Sequence, residues 1–250
     1  MVCDTMTPID IKVSRPRKVK EGAGAEVLRL FPGQDIEHFD PFVLMDEFFV
    51  EPGTGFPLHE HGGFEAITYM IEGGFRHKDT MGNDSQVTAG GVQKFNAGKS
   101  LKHEEMPVGD KLSHGIQLWI NLPFEFKDSE PNYQKLSAEE VPVWEEKGIK
   151  IRTIVGEDSP IELYADILYM DIHLAQGAVY DMEIPPHFNG ILYIYQGKPK
   201  INGSIVESHH GILLKERGEL DIMTDEDVKF VVIAGKPLKE PIIQRGSFVE

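Results

Sequence analysis

Gly53-Thr-Gly-Phe-Pro-Leu-His59-Glu-His61-Gly-Gly-Phe-Glu65 is the stretch around which the remaining sequence can be arranged. His59 and His61 are two residues apart. In an extended strand their imidazoles therefore project from one face while Glu60 projects from the other. Two imidazoles about one strand step apart can grip a single ion. Further along, His103 and Glu105 repeat that period within Gly98-Lys-Ser-Leu-Lys-His-Glu-Glu-Met-Pro107. If the two strands face each other inside a barrel, three imidazole nitrogens and one carboxylate converge. Such a donor set suits one divalent transition metal and leaves room for solvent or substrate. A His-x-His pair alone is a weak signal, because two surface histidines in a glycine-rich loop give the same string. The second pair weighs against that reading, as does the place of both pairs beside Gly/Pro punctuation and alternating apolar runs.

The chain has 250 residues, enough for one large β domain or two smaller ones. Its formal net charge of −16 argues against an electrostatic grip on nucleic acid or on an anionic membrane. No apolar run is long enough to span a bilayer as a helix. Cys3 is the one cysteine, so no intrachain disulfide is expected, and the start of the chain has no apolar leader. Both features point to the cytoplasm.

Strands are expected at 9–13, 26–31, 40–48, 64–71, 75–79, 86–95 and 114–122, and again at 149–155, 167–174, 190–195, 204–207, 211–214 and 228–234. Short strands with turn signals between them, and no long amphipathic helix, indicate an all-β sandwich or barrel. In 114–122, Ile116, Leu118, Ile120 and Leu122 share one face, and Gln117, Trp119 and Asn121 the other. The basic cluster from Arg15 to Lys20 reads as a solvated turn, and His77 as a partly exposed strand histidine. The acidic, proline-punctuated segment 123–143 reads as an interdomain connection. The second half has no His-x-His followed by His-x-Glu, and His209-His210 point to opposite faces of any strand, so it is expected to hold no metal.

Gly53, His59, His61 and Glu65 fit the first motif of the cupin superfamily, whose small β-barrels carry metal ligands on their interior. The second motif departs from the cupin pattern in the way pirins do. The chain resembles the pirin family over nearly its whole length, through Asp40-Pro-Phe-Val-Leu-Met-Asp-Glu-Phe48, Gly55-Phe-Pro-Leu-His-Glu-His-Gly-Gly-Phe-Glu65, His103-Glu-Glu-Met-Pro107, His114-Gly-Ile-Gln-Leu-Trp-Ile-Asn-Leu122 and Glu240-Pro-Ile-Ile-Gln244. The resemblance implies a bicupin: two β-barrel domains side by side, residues 1–136 forming the metal-binding barrel and 137–250 a second barrel without metal. It also implies that His59, His61, His103 and Glu105 are the metal ligands. Glu65 is the rival ligand, since an unbroken strand would aim it at the same ion; a break at Gly62-Gly63 would leave it beside the ligands instead. Pirins usually carry Arg after the His-x-His pair, so Gly62 is expected to open the pocket mouth.

Some pirins resemble quercetin 2,3-dioxygenases, which open the flavonol ring with O₂ and release carbon monoxide. The resemblance therefore implies a metal-dependent dioxygenase with a flavonol-like aromatic substrate. Fe(II) is the favoured ion, with Mn, Co, Ni, Cu or Zn as alternatives. Glu105 is the expected catalytic base for the substrate hydroxyl. Other pirins resemble non-enzymatic regulators in which iron is a redox-sensitive switch for binding a protein partner, which the sequence does not identify. A cupin-type isomerase or hydrolase is the third class. Because ligand histidines must be neutral, metal affinity is expected to fall as pH drops through about 6.5.

Overall fold

The computed structural model describes residues 12–33, 36–216 and 218–250. Ile9 and Ile11, the first residues of the expected first strand, lie outside these, as does Cys3. The fold is all-β. One seven-stranded antiparallel sheet runs in the order Asn132–Leu136, Val92–Asn96, Phe64–Glu72, Ser113–Asn121, Phe42–Val50, Ala25–Phe31, Arg17–Glu21. A second runs Val13–Ser14, His210–Leu214, Asn189–Gln196, Val228–Gly235, Ile167–Leu174, Ile149–Val155, Val143–Glu146. Each large sheet is completed into a barrel by a four-stranded sheet. These are Phe56–His61, Leu101–Pro107, Gly74–Asp79, Asp84–Thr88 in the first half, and Val179–Ile184, Gly218–Met223, Lys200–Ile201, Ser204–Ile205 in the second.

Three expectations for single segments change. Arg17–Glu21 is an edge strand rather than a turn, its lysines and arginine outward as on a guarded sheet edge. The run 86–95 is two strands, split by a turn at Ala89-Gly90-Gly91. Within the expected connection, Asn132–Leu136 is a strand that adds to the sheet beside Val92–Asn96.

The two large sheets pack face to face. Alternate residues such as Ile67, Ile116, Leu118 and Ile120 from the first meet Tyr169, Ile191, Val231 and Ile233 from the second in one buried cluster. The same strands turn their other residues into the barrels. The second barrel is filled by apolar side chains, among them Ile184, Leu192, Leu220, Ile222 and Phe230. The first is not: its interior carries polar groups, described below.

Glu47 and Asp171 are buried in the shared face, and each is bound across it. Tyr193 donates to Glu47 at 2.8 Å and Tyr69 donates to Asp171 at 2.6 Å. The two pairs are reciprocal, since Glu47 and Asp171 occupy equivalent strands of the two sheets, as do Tyr69 and Tyr193. Burial pushes Glu47 up, but hydrogen bonds from His114 and His209 outweigh it and hold the carboxyl below its ordinary range. Tyr69→Phe and Tyr193→Phe should each lower the unfolding free energy by about 1–3 kcal/mol, because each leaves a buried carboxylate short of a donor. Denaturant unfolding with unchanged midpoints would show that these bonds do not couple the barrels.

Candidate metal centre

The histidine site arises from strand pairing. Phe56–His61 lies antiparallel to Leu101–Pro107 with His59 opposite His103. Leu101–Pro107 pairs on its other side with Gly74–Asp79, which sets His77 opposite Glu105 and Asp79 opposite His103. Period-two alternation then turns His59, His61, His77, Asp79, His103 and Glu105 to the barrel interior. One nitrogen from each of His59, His61 and His103 lies within 4.8 Å of the others, and among the described residues His77, His103 and Glu105 form a second such trio. The ring centroids of His59 and His103 are 4.5 Å apart, and those of His61 and His103 5.0 Å.

The ring nitrogens facing away from the trio are occupied. His59 Nδ1 donates to the Pro57 carbonyl at 2.7 Å and His61 Nδ1 to the Ser247 carbonyl at 3.2 Å. Nε2 of His103 is buried and has no hydrogen-bond partner. Burial holds all three imidazoles below their ordinary pKa: His61 falls to about 3, with the nearby His59 adding to the effect, and His103 falls well below 6.5. The trio is therefore neutral over a wider pH range than solvated histidines would be. This moves the expected acid loss of a bound ion to well below pH 6.5.

Glu105 is completely enclosed. Its Oε1 accepts from Gln93 and, at 3.4 Å, from Thr68, while Oε2 accepts from Gln117 at 3.1 Å. Burial nonetheless dominates and pushes the carboxyl up to about 7. Sequence reasoning did not find Gln93, Thr68 or Gln117, which come from three strands of the large sheet. Glu65 is elsewhere. Gly63 adopts φ +82° and any Cβ there would lie 1.8 Å from the Val249 carbonyl oxygen, so the chain turns sharply between the two strands and alternation restarts. Glu65 falls in phase with Ile67 and Tyr69, on the shared face, where it pairs with Lys94 at 2.9 Å and accepts from the Tyr164 amide at 2.9 Å. His77 is fully buried rather than partly exposed, with Nε2 3.0 Å from Asp79. The string His77-x-Asp79 has the same period as the other two pairs and was the available signal.

A cavity of about 560 Å³ adjoins the site. His59, His61, Glu105 and Gln117 line one part of it; Leu44, Phe48, Phe56 and Trp119 supply apolar wall; and Arg29 holds Asp46 in a two-point ion pair at 2.9 and 2.7 Å. Gly62 does not open the mouth. The chain terminus closes over it: Val249 donates to the Gly62 carbonyl, Lys127 binds the carbonyls of Gly63 and Val249, and Gln244, Gly246 and Ser247 line the cavity.

The Pirin family model matches residues 24–120, and that of the Pirin C-terminal cupin domain matches residues 169–250. The chain is 37% identical to Pirin of Rattus norvegicus, over 93% of this chain and 84% of that protein. Among solved structures it is similar to a quercetin 2,3-dioxygenase from Acinetobacter baumannii, at 29% identity and a TM-score of 0.85, covering 95% of this chain and 90% of that one. It shares its fold with a bacterial pirin from Escherichia coli solved in complex with nickel(II), at 20% identity and a TM-score of 0.77, covering 91% of this chain and 100% of that one. The two-barrel architecture, the buried histidine cluster in the first barrel and these likenesses lead to one conclusion: the chain belongs to the pirin family of the cupin superfamily.

Proposed function

We propose that this protein is a metal-dependent oxygenase of the quercetin 2,3-dioxygenase kind, acting with O₂ on flavonol-like or other enolisable aromatic substrates. The observation that carries the reading is the convergence of three neutral imidazoles, with the orphaned Nε2 of His103 among them, beside a cavity walled by aromatic side chains. His59, His61 and His103 are the nitrogen ligands in this reading, and Glu105, which lies within ligand distance of His103 and His77 rather than of all three, is the fourth, in the N-terminal barrel. The donor set fits a divalent transition metal such as Fe(II), Mn, Co or Ni. A bound metal supplies Lewis acidity and an open coordination position for the reacting oxygens.

This chain's own groups supply the rest. Phe48, Phe56 and Trp119 offer faces against which a planar substrate can stack, and they exclude water from it. Glu105 is the group placed to take the proton of the substrate hydroxyl, and Gln93 and Gln117 orient its carboxylate. The likeness to the Acinetobacter baumannii dioxygenase supports the oxygenase class, and the nickel-bound pirin supports a divalent ion in this fold.

Aerobic loss of quercetin absorbance, followed for protein reconstituted with Fe(II), Mn(II), Co(II) or Ni(II), should show turnover that stops under nitrogen and is absent in His59→Ala. Full metal occupancy without turnover of any flavonol would move the protein to the non-enzymatic, partner-binding class.

Metal content after dialysis separates the two glutamates. Glu105→Ala should lose at least about tenfold in affinity for the ion, whereas Glu65→Ala should keep it and lose thermal stability, since Lys94 is left buried and unpaired. Equal retention in Glu105→Ala and wild type removes Glu105 from the ligand set.

The wild-type protein should keep its metal through pH 6.5 and release it only well below, because burial delays protonation of the ligands. A release midpoint near 6.5 would indicate solvated histidines instead.

A further inference from the structure

We propose that Asp79 and His77 form a relay that sets the tautomer of His103 and aims its Nε2 at the metal, which makes both of them positioning residues of the centre. The inference rests on the reading of His103 as a metal ligand. It starts from Asp79, whose carboxylate is held on all sides. Oδ1 accepts the amides of Met81 at 2.9 Å and Asn83 at 3.0 Å; Oδ2 accepts the Asn83 side chain at 2.8 Å and lies 3.0 Å from His77 Nε2. A carboxylate in this setting only accepts, so the proton between them sits on His77 Nε2. A neutral imidazole carries one N–H, which leaves His77 Nδ1 as an acceptor.

His77 Nδ1 is 3.3 Å from His103 Nδ1. Since the first is an acceptor, the second is the donor, and His103 carries its proton on Nδ1. Its Nε2 is then a bare lone pair, and it is the ring nitrogen that is buried without a partner. The geometry is fixed at each link. His77 is completely buried and stacks on Tyr133 with ring centroids 4.4 Å apart and planes 18° from parallel. Tyr133 is itself tied to Ser85 at 2.6 Å. His59 and His61 reach the same tautomer through backbone carbonyls, which no side-chain substitution removes; His103 alone depends on side chains. A partner that fixes the tautomer of a metal-binding imidazole also raises its basicity.

His77, His103 and Glu105 also satisfy the distances for a second ion. An ion there would take a ring nitrogen from each of the two histidines and compete with the hydrogen bond between them, so stoichiometry separates the two arrangements.

The test is nitrogen-detected NMR of ¹⁵N-histidine-labelled protein, metal-free and loaded with Zn(II), together with Zn(II) titration. Metal-free wild type should show His103 protonated at Nδ1, with a proton protected from solvent exchange. One Zn(II) per chain should then bind at Nε2. His77→Phe keeps the ring stack on Tyr133 and removes the acceptor; it should lose the protected proton and bind Zn(II) about 10–100-fold more weakly. Asp79→Asn is nearly isosteric. It gives His77 Nε2 a donor to face, forces the Nδ1–H form on His77, and should shift metal-free His103 toward the Nε2–H tautomer. Nε2 protonation of His103 in metal-free wild type, affinity within twofold of wild type in His77→Phe, or two ions per chain would each overturn the relay. A wild type that binds no Zn(II) or Ni(II) yet shows the Nδ1–H tautomer would sink the metal reading, and with it any positioning role, while leaving the hydrogen-bond assignment intact.

Discussion

The buried face shared by the two seven-stranded sheets constrains everything else in the molecule. Each sheet must keep one face apolar to pack against the other, and Ser113–Asn121 and Val228–Gly235, at the centres of their sheets, are buried at every residue except Gln117 and Lys229. Burying two such faces supplies the main driving force for association of the barrels. It also admits few polar groups, and those it admits are matched: Glu47 and Asp171 each receive a tyrosine from the opposite sheet. The reciprocal arrangement follows from the equivalence of the two sheets, whose strands run in the same order about the interface.

With one face of each sheet committed, the opposite face is free to diverge, and the two barrels differ there. In the second, the short ladder pairs Met182 with Leu220 and Tyr180 with Ile222, and the interior closes as an apolar core. In the first, the comparable ladder sets His59 opposite His103, and Glu105, Gln93, Gln117 and Thr68 meet across the interior. The cost of burying these polar groups appears as neutral imidazoles and a carboxyl pushed up to about 7. The same fold thus supports a packed core on one side and a candidate metal centre on the other through the identity of a few inward-facing residues.

The ends of the described chain tie the halves together. Val13–Ser14 adds to the sheet of the second half, beside His210–Leu214. Phe248 and Val249 bridge back to Gly62, and Ser247 holds His61. Gly63 is what makes this closure fit, since any side chain there would occupy the space of the Val249 carbonyl.

The all-β class, most strand positions and the inward set His59, His61, His103 and Glu105 could be read from the residues, because alternation within a strand is a local property that neighbouring residues dictate. Alternation does not survive a turn, and this is where sequence reasoning ended. The side taken by Glu65 depended on the left-handed conformation of Gly63, and the place of His77 and Asp79 beside His103 on which strand lies next to Leu101–Pro107. Gln93, Gln117 and the terminal strand over Gly62 come from distant segments, so only the register between strands decides that they meet the histidines. What the sequence determined by itself was which side chains share a face. Which faces enclose one another, which imidazole nitrogen is left without a proton, and how far burial moves each pKa were decided by tertiary structure, because hydrogen-bond partners and desolvation exist only once the strands are paired.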